Sequence, residues 1–192
     1  AVIPGLLERW YDERKVMQGK MREAIQTKEK KQIAFWDKRQ LVKKINLNSL
    51  YGAILNPGCR FFDQRIGQSV TLSGRTITKH MASQTNQIVT GEYDHVGKSI
   101  IYGDTDSVYF SAYPILKEDV DAGKIPWTKE SVVELYDRIS SEVNHTFPDF
   151  MVKAFGVDVD SGGIIKSGRE IIASSGLFIT KKRYVALIYD IE

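Results

Sequence analysis

Apolar positions recur at helical spacing in the first part of the chain. One helical pattern begins at Pro4-Gly5 and covers about 25 residues, and a second runs from Gln32 to Leu55. The polar window Thr27–Lys31 separates the two patterns, and Asn56-Pro57-Gly58 ends the second because proline and glycine break helices. Two long helices joined by a short polar turn predict an antiparallel helical hairpin.

Helical and strand patterns are mixed in the rest of the chain. Gln68 to Val89 carries one apolar stripe and predicts a long helix. Pro114 to Thr128 predicts a polar connection, after which Thr128 caps a helix that Pro148 breaks. Short runs of β-branched and aromatic residues predict strands at Ile164-Ile165, Glu170–Ala173 and Tyr184–Tyr189. This mixture predicts an α+β fold in which helices cover the strands.

The segment Ile100–Phe110 predicts a hairpin of two apolar strands with an acidic tip. Gly103 and Asp104 suit the turn, and Asp104 and Asp106 project near it. Two carboxylates this close repel each other unless a cation lies between them, and oxygen ligands suit Mg²⁺ or Mn²⁺ better than Zn²⁺. The alternative is a solvated acidic turn, which is the better explanation of an isolated Asp-x-Asp. The apolar flanks favour a metal platform.

One face of the second predicted helix carries a set of side chains suited to a nucleotide. Lys44, Asn48 and Tyr51 follow the spacing i, i+4, i+7 and therefore share a face. They offer a cation for phosphate, an amide for a base edge and a ring for stacking. The alternative is an ordinary amphipathic helix with a solvated lysine.

Composition limits the class of protein without identifying it. The 192 residues are 42% hydrophobic and 27% charged, which is typical of a soluble globular domain, and no apolar run has transmembrane length. The single cysteine, Cys59, excludes an internal disulfide and favours a reducing compartment. The net charge of +3 is small, but basic residues crowd before Ile45 and at Lys181-Lys182-Arg183. His80 and His95 lack metal-ligand spacing with each other or with Cys59.

Two motifs stand in a fixed order along the chain. Lys44-x-x-x-Asn48-Ser49-Leu50-Tyr51-Gly52 is followed by Tyr102-Gly103-Asp104-Thr105-Asp106-Ser107. Together they resemble helical motif B and hairpin motif C of the family B DNA polymerases, most like the T4-type phage replicative enzymes. The long helix between the motifs and the later Lys181-Lys182-Arg183-Tyr184 are also similar. The resemblance covers nearly the whole chain.

The resemblance implies a fold and an activity. Residues 1–56 would be the fingers helical hairpin, and residues 57–192 an incomplete palm domain whose antiparallel sheet is packed by helices. The activity would be template-directed addition of deoxynucleotides to a primer 3′-hydroxyl by two-metal phosphoryl transfer, with two Mg²⁺ ions or Mn²⁺ in their place, in viral DNA replication. The implied partners are primer–template DNA, dNTP and, through other domains, a sliding clamp and further replication proteins, without a membrane. The implied location is the host cytoplasm, at the nucleoid.

The resemblance also implies roles for individual palm residues. Asp106 would bind both catalytic metals, and Asp104 would support metal coordination. Lys182 would lie near the primer end as a catalytic and DNA-binding residue, with Glu170 as a nearby palm carboxylate. DNA would also be bound by Lys181, Arg183 and Tyr184. Asp190 occupies an acidic position of the family that has no role derivable from the sequence.

In the fingers, the resemblance implies that Arg14 and Lys44 contact the incoming triphosphate and that Asn48 and Tyr51 line the nascent base pair. The first helix departs from the usual pattern Arg-Lys-x-x-Lys, since Gln18 stands where a second lysine is expected. Lys20 could substitute, but it lies on a different helical face.

The largest departure is the absence of motif A, an Asp followed shortly by Ser-Leu-Tyr-Pro-Ser, from these 192 residues. That motif carries the other metal-binding aspartate. We therefore infer a piece of a larger protein, one that folds at least in its palm part but does not polymerise alone. Two alternatives remain: another palm-type polymerase, such as an RNA-dependent one, or a nucleic-acid-binding module whose acidic hairpin is structural.

Overall fold

The computed structural model describes residues 1–191, which form an α+β fold of helices and two small antiparallel sheets. The chain forms two compact units, Ala1–Thr71 and the part that begins at Leu72. In chain order the elements are α1 Val2–Gln26, α2 Lys30–Ile54, α3 Gln64–Thr90, β1 Ile100–Asp104, β2 Ser107–Phe110, α4 Tyr113–Asp121, α5 Lys129–Phe155, α6 Val159–Gly162, β3 Ile171–Thr180 and β4 Arg183–Ile191.

The first unit is built on the antiparallel hairpin of α1 and α2, as predicted. The turn falls in the polar window, where Lys28 takes a left-handed conformation with φ of 59°. Contacts between the two helices run in antiparallel register: Lys43 pairs with Glu13 near one end, and the Lys20 ammonium lies 4.7 Å from the ring of Trp36 nearer the turn. An ion pair and a cation–π contact thus hold the two helices together.

The core of the second unit lies between α3 and α5. Ile139, Val143 and Phe147 of α5 are buried and pack against an apolar stripe of α3 and against β2. The partners of this cluster include Ile77, Met81, Ile88, Val89 and Phe110. Because these side chains recur at helical spacing on both helices, the core follows from the sequence pattern.

A buried histidine joins the same two helices. The His80 ring stacks on Phe150 with centroids 3.8 Å apart, and its Nε2 lies 3.0 Å from the hydroxyl of Thr146. That hydroxyl donates to the Val143 carbonyl, so it accepts from Nε2–H, and Nδ1 accepts from the Tyr93 hydroxyl at 2.9 Å. This pattern requires the neutral ring, and burial lowers the His80 pKa below its ordinary value of 6.5.

The link from α3 to β1 closes around a fully buried asparagine. The Asn86 amide donates to the Glu92 carbonyl at 2.8 Å, and its oxygen accepts from both the backbone N–H and the hydroxyl of Ser99. Gly97 passes so close that a Cβ there would lie 2.1 Å from Asn86 Nδ2. The start of β1, and with it the acidic hairpin, is therefore fixed to the end of α3.

The strands form two antiparallel hairpins, β1 with β2 and β3 with β4. In the described part of the chain these hairpins belong to separate two-stranded sheets. An aromatic cluster joins them instead of backbone hydrogen bonds. Its members are Tyr102 and Tyr109 of the first hairpin and Phe178 and Tyr184 of the second, with ring centroids 5.2 to 6.5 Å apart.

Three local predictions were wrong. The expected polar connection contains α4, which Pro114 starts because a first-turn proline loses no helical hydrogen bond. Pro148 does not break α5, which continues to Phe155 and is capped by Gly156 at φ 66°, because Phe147 before the proline is buried in the core and Phe150 after it stacks on His80. Ile164-Ile165 is not a strand, since Asn144 bonds both the N–H and the carbonyl of Ser167 and holds this segment as a loop.

Within residues 1–191, no helix is both long and apolar enough to cross a membrane.

The free energy of unfolding should fall as pH drops through the His80 titration. Because the folded pKa lies below 6.5, the unfolded chain takes up the proton first, and stability present above pH 6.5 is lost below it. Urea unfolding between pH 7.5 and 5.5 measures this loss. His80→Gln should flatten the dependence of the unfolding free energy on pH. His145→Gln, which changes an exposed histidine, should leave that dependence unchanged. An equal slope in both variants would contradict the assignment.

Candidate active site

The acidic tip has a constrained backbone. Thr105, a β-branched residue, takes φ of 51°, which such residues rarely adopt. The Asp106 N–H donates to the Asp104 carbonyl at 2.6 Å, and the Ser107 hydroxyl donates to the same oxygen at 3.1 Å. The hydroxyl of Thr78 in α3 lies 3.0 Å from the Thr105 carbonyl and 3.0 Å from the Gly74 carbonyl of its own helix, so its single proton is shared between them. Sequence did not predict this anchor, which fixes the tip on the core helix.

The two carboxylates at the tip have different surroundings. Asp104 accepts from the Thr105 hydroxyl at 3.1 Å, and its Oδ2 lies 3.8 Å from the ammonium of Lys182. Asp106 is exposed. The tip thus has one carboxylate beside a protein cation and one that is exposed.

Carboxylate oxygens suit a hard divalent cation, but this tip is an incomplete ligand set. Within residues 1–191, no group of three or more His, Cys, Asp or Glu side chains is placed to hold a metal ion. The donor chemistry of Asp104 and Asp106 fits Mg²⁺ or Mn²⁺, whereas the number of donors falls short.

The basic turn between β3 and β4 lies beside the acidic tip. Lys182 takes φ of 64° at this turn, and its N–H donates to the Tyr102 hydroxyl at 2.8 Å. Lys181 and Arg183 flank it and are exposed. The acidic tip and the basic turn are far apart in the sequence. The hydrogen bond from Lys182 to Tyr102 brings them together.

Tyr184 and Tyr109 form a second polar link between the hairpins. Their hydroxyls lie 2.8 Å apart, and this hydrogen bond, aided by burial, raises the pKa of Tyr109 to about 12. Tyr109 therefore stays protonated at any physiological pH. The pair of hydroxyls thus links the acidic hairpin to the strand that follows the basic turn.

Glu170 lies on a cleft rather than at the acidic tip itself. The cleft has a volume of about 930 Å³, its floor is formed by α5, and β2 and β3 form its walls. Asp106 and Glu170 both line it, and Glu170 is exposed. The structure thus places these two carboxylates on one concave surface.

Asp190 has a structural environment that the sequence could not reveal. The guanidinium of Arg169, whose side chain is 11% exposed, pairs with Asp137 of α5 and lies 3.0 Å from Asp190 Oδ2. Lys129 lies 3.6 Å from the same aspartate. Asp137 raises the pKa of Arg169, so the guanidinium stays charged. This network fixes the ends of the second hairpin to α5.

The residues predicted to bind nucleotide lie in the first unit, on one face of α2. Lys44 and Asn48 are exposed, and the Tyr51 hydroxyl donates to the Gly67 carbonyl at 3.3 Å. Arg14 of α1 reaches the same helix, where its Nε donates to Gln40 Oε1 at 3.2 Å. Because Gln40 lies one turn before Lys44, the structure brings Arg14 to the predicted face.

Comparison with known proteins places the chain in a family. The model of "DNA polymerase family B" matches residues 1–153. The DNA polymerase alpha catalytic subunit of Xenopus laevis is 30% identical over 81% of this chain, which is 8% of that protein. The DNA-directed DNA polymerase of Escherichia phage RB69 is 27% identical over 80% of this chain and 18% of that protein. The chain belongs to DNA polymerase family B.

The chain spans less than a fifth of the length of these curated relatives. DNA polymerase II of Escherichia coli is 38% identical, but only over 34% of this chain and 7% of that protein. No solved structure matches the chain.

Lys182→Ala should weaken binding of primer–template DNA and reduce its salt dependence. If the exposed ammonium beside Asp104 neutralises one phosphate, the slope of log affinity against log salt should change by about one. Fluorescence anisotropy across a salt series measures both quantities. Lys117→Ala, which removes an exposed lysine of α4, is the matched control. An unchanged slope in Lys182→Ala would place this lysine outside the DNA interface.

Proposed function

We propose that this chain supplies the fingers and part of the palm of a DNA polymerase that adds deoxynucleotides to a primer 3′-hydroxyl. The observation that carries the proposal is the junction of the acidic tip with the basic turn, where Asp104 lies 3.8 Å from Lys182 and Asp106 is exposed beside them. Family membership supports it, since the two motifs occur in the matched region.

In this proposal, opposite charges at the tip have separate tasks. Asp106 would hold divalent metal, Mg²⁺ or Mn²⁺, and Asp104 would support it. A bound pair of ions would stabilise the charge that develops as the primer 3′-oxygen bonds to the α-phosphorus and the bond to the leaving pyrophosphate breaks. Lys182 would bind a phosphate near the primer end, and Lys181, Arg183 and Tyr184 would extend that contact along the DNA.

The fingers face would bind the incoming nucleotide. Lys44 and Arg14 supply two cations for the triphosphate, and a guanidinium can bind phosphate oxygens in bidentate fashion. Asn48 and Tyr51 lie further along the same face and would contact the base pair. The hydrogen bond from Tyr51 to Gly67 holds the ring in place without using its faces.

The cleft over α5 is the proposed seat of the missing acidic strand. In the described chain, β2 and β3 each pair with one neighbour only, and both line this cleft. A strand with an aspartate could pair along one of these edges and bring its carboxylate near Asp106. We therefore expect the 192-residue chain to bind metal weakly and not to polymerise until such a strand is supplied.

We further place the polymerase with the T4-type replicative enzymes of phages. Support comes from the basic turn Lys181–Tyr184 and from the similarity to the phage RB69 enzyme over 80% of the chain. Viral replication in the host cytoplasm at the nucleoid, with a sliding clamp as partner, belongs to the same proposal.

Asp106→Asn in a full-length polymerase that carries this chain should reduce nucleotide incorporation by at least tenfold, on the order of 1.4 kcal/mol or more in the barrier. The reason is the loss of the exposed carboxylate that would hold metal. Single-nucleotide primer extension, on DNA and RNA templates in parallel, measures the rate. Asp121→Asn alters an exposed acid of α4 and is the control. A rate above one tenth of wild type would remove Asp106 from the metal site.

The same assay tests the missing ligand. The purified chain should give no extension alone and some extension when a segment with motif A is added in cis or in trans. Robust extension by the chain alone would contradict the proposed need for a further carboxylate. Preference for RNA templates would favour another class of polymerase.

A further inference from the structure

We propose that Gln40 is a positioning residue that fixes Arg14 beside Lys44, so that both cations bind one triphosphate. The inference rests on the function proposed above and adds to it a residue with no predicted role. Gln40 is half-buried on α2 and lies between Arg14, Asp37 and the exposed face of the helix.

The orientation of the Gln40 amide follows from the chemistry of its neighbours. Its Nε2 donates to Asp37 Oδ1 at 3.1 Å, and its Oε1 accepts from Arg14 Nε at 3.2 Å. An ionised carboxylate only accepts and a guanidinium only donates, so the reverse orientation of the amide would place like groups against each other on both sides. Asp37 therefore directs the Gln40 oxygen toward Arg14.

The hydrogen bond to Gln40 leaves the terminal nitrogens of the Arg14 guanidinium available for phosphate. The bond to Gln40 uses Nε–H, and a guanidinium binds phosphate in bidentate fashion through its terminal nitrogens. Asp37, Gln40 and Lys44 follow the spacing i, i+3, i+7 and share one face of α2. The Arg14 guanidinium is thus held at Gln40, one helical turn before Lys44, on the helix face that also carries Asn48.

Four other cations of the helical hairpin lie over aromatic rings, so binding of the triphosphate would depend more strongly on Arg14. Lysine ammoniums and one guanidinium lie 4.6 to 5.9 Å from aromatic ring centroids, in the pairs Lys15–Tyr11, Lys20–Trp36, Arg39–Phe35 and Lys43–Trp10. Lys20, the candidate substitute for the lysine absent at Gln18, is among them. Arg14, by contrast, is hydrogen-bonded by an amide of α2, which orients its guanidinium toward the face that carries Lys44.

A neutral acceptor suits this task better than an acid. A flexible arginine loses side-chain entropy when it binds, and a hydrogen bond formed beforehand reduces that loss. A carboxylate at position 40 would also hold Arg14, but its charge would compete with the phosphates for the guanidinium. Gln40 fixes the position of the cation without cancelling it.

The test compares Gln40→Leu with Gln32→Leu, the same change at an exposed position of α2, in a full-length polymerase that carries this chain. Single-nucleotide incorporation gives KM for dNTP and kcat, and anisotropy gives DNA affinity. Gln40→Leu should raise KM about tenfold, the effect of one lost hydrogen bond to a charged group. Affinity for DNA and the thermal midpoint should match the control.

A double-mutant cycle separates positioning from general stability. In an Arg14→Ala background, Gln40→Leu should have little further effect on KM, because its proposed role acts through Arg14. Gln40→Glu, which preserves size and fold, should also raise KM. An equal KM increase in both backgrounds, or a fall in DNA affinity of the same size, would overturn the proposal.

Two reference variants show whether a negative result overturns only the role of Gln40 or the proposed polymerase function as well. Lys44→Ala and Asp106→Asn should impair incorporation whether or not Gln40 has a role. If both impair it while Gln40→Leu behaves as Gln32→Leu, only the positioning role is overturned. If neither impairs it, the proposed polymerase function itself is wrong, and with it the positioning role.

Discussion

The hydrogen bond from the Lys182 backbone to the Tyr102 hydroxyl is the contact on which the candidate site depends. It joins two hairpins that share no strand pairing in the described chain, and it does so at the residue whose ammonium faces Asp104. Rings of the aromatic cluster pack around the bond and hold its two hairpins together. Acidic tip and basic turn are therefore held together by side chains rather than by a continuous sheet.

The rest of the second unit serves to hold that junction against the core. Thr78 fixes the tip to α3, buried Asn86 fixes the start of β1 to the end of the same helix, and Arg169 fixes the second hairpin to α5. Each anchor is polar and lies beside an apolar contact surface. Apolar packing of α3 on α5 supplies cohesion, whereas these directional bonds decide where the functional side chains point.

In the first unit, the contacts of the cations in the helical hairpin fall into two kinds. Lys20 and Lys43 of the helical hairpin lie over aromatic rings, and Lys43 also pairs with Glu13, so these cations stabilise the packing of two amphipathic helices. Arg14 differs because its partner is a neutral amide. The amide orients the guanidinium through Nε–H without placing a carboxylate against it, which is the basis of the positioning role proposed for Gln40.

Sequence alone determined the long helices, the acidic hairpin, the helix face shared by Lys44, Asn48 and Tyr51, and the α+β class, because apolar periodicity and turn residues are local signals. The family followed from two motifs whose residues are contiguous or one helical turn apart. Only the tertiary structure decided that Lys182 meets Asp104, that Arg14 meets Gln40 and that Asp190 pairs with Arg169, since each contact joins residues far apart in the chain. It also decided that Pro148 remains inside a helix, because the packing of Phe147 before the proline and of Phe150 after it outweighs the local cost of the proline.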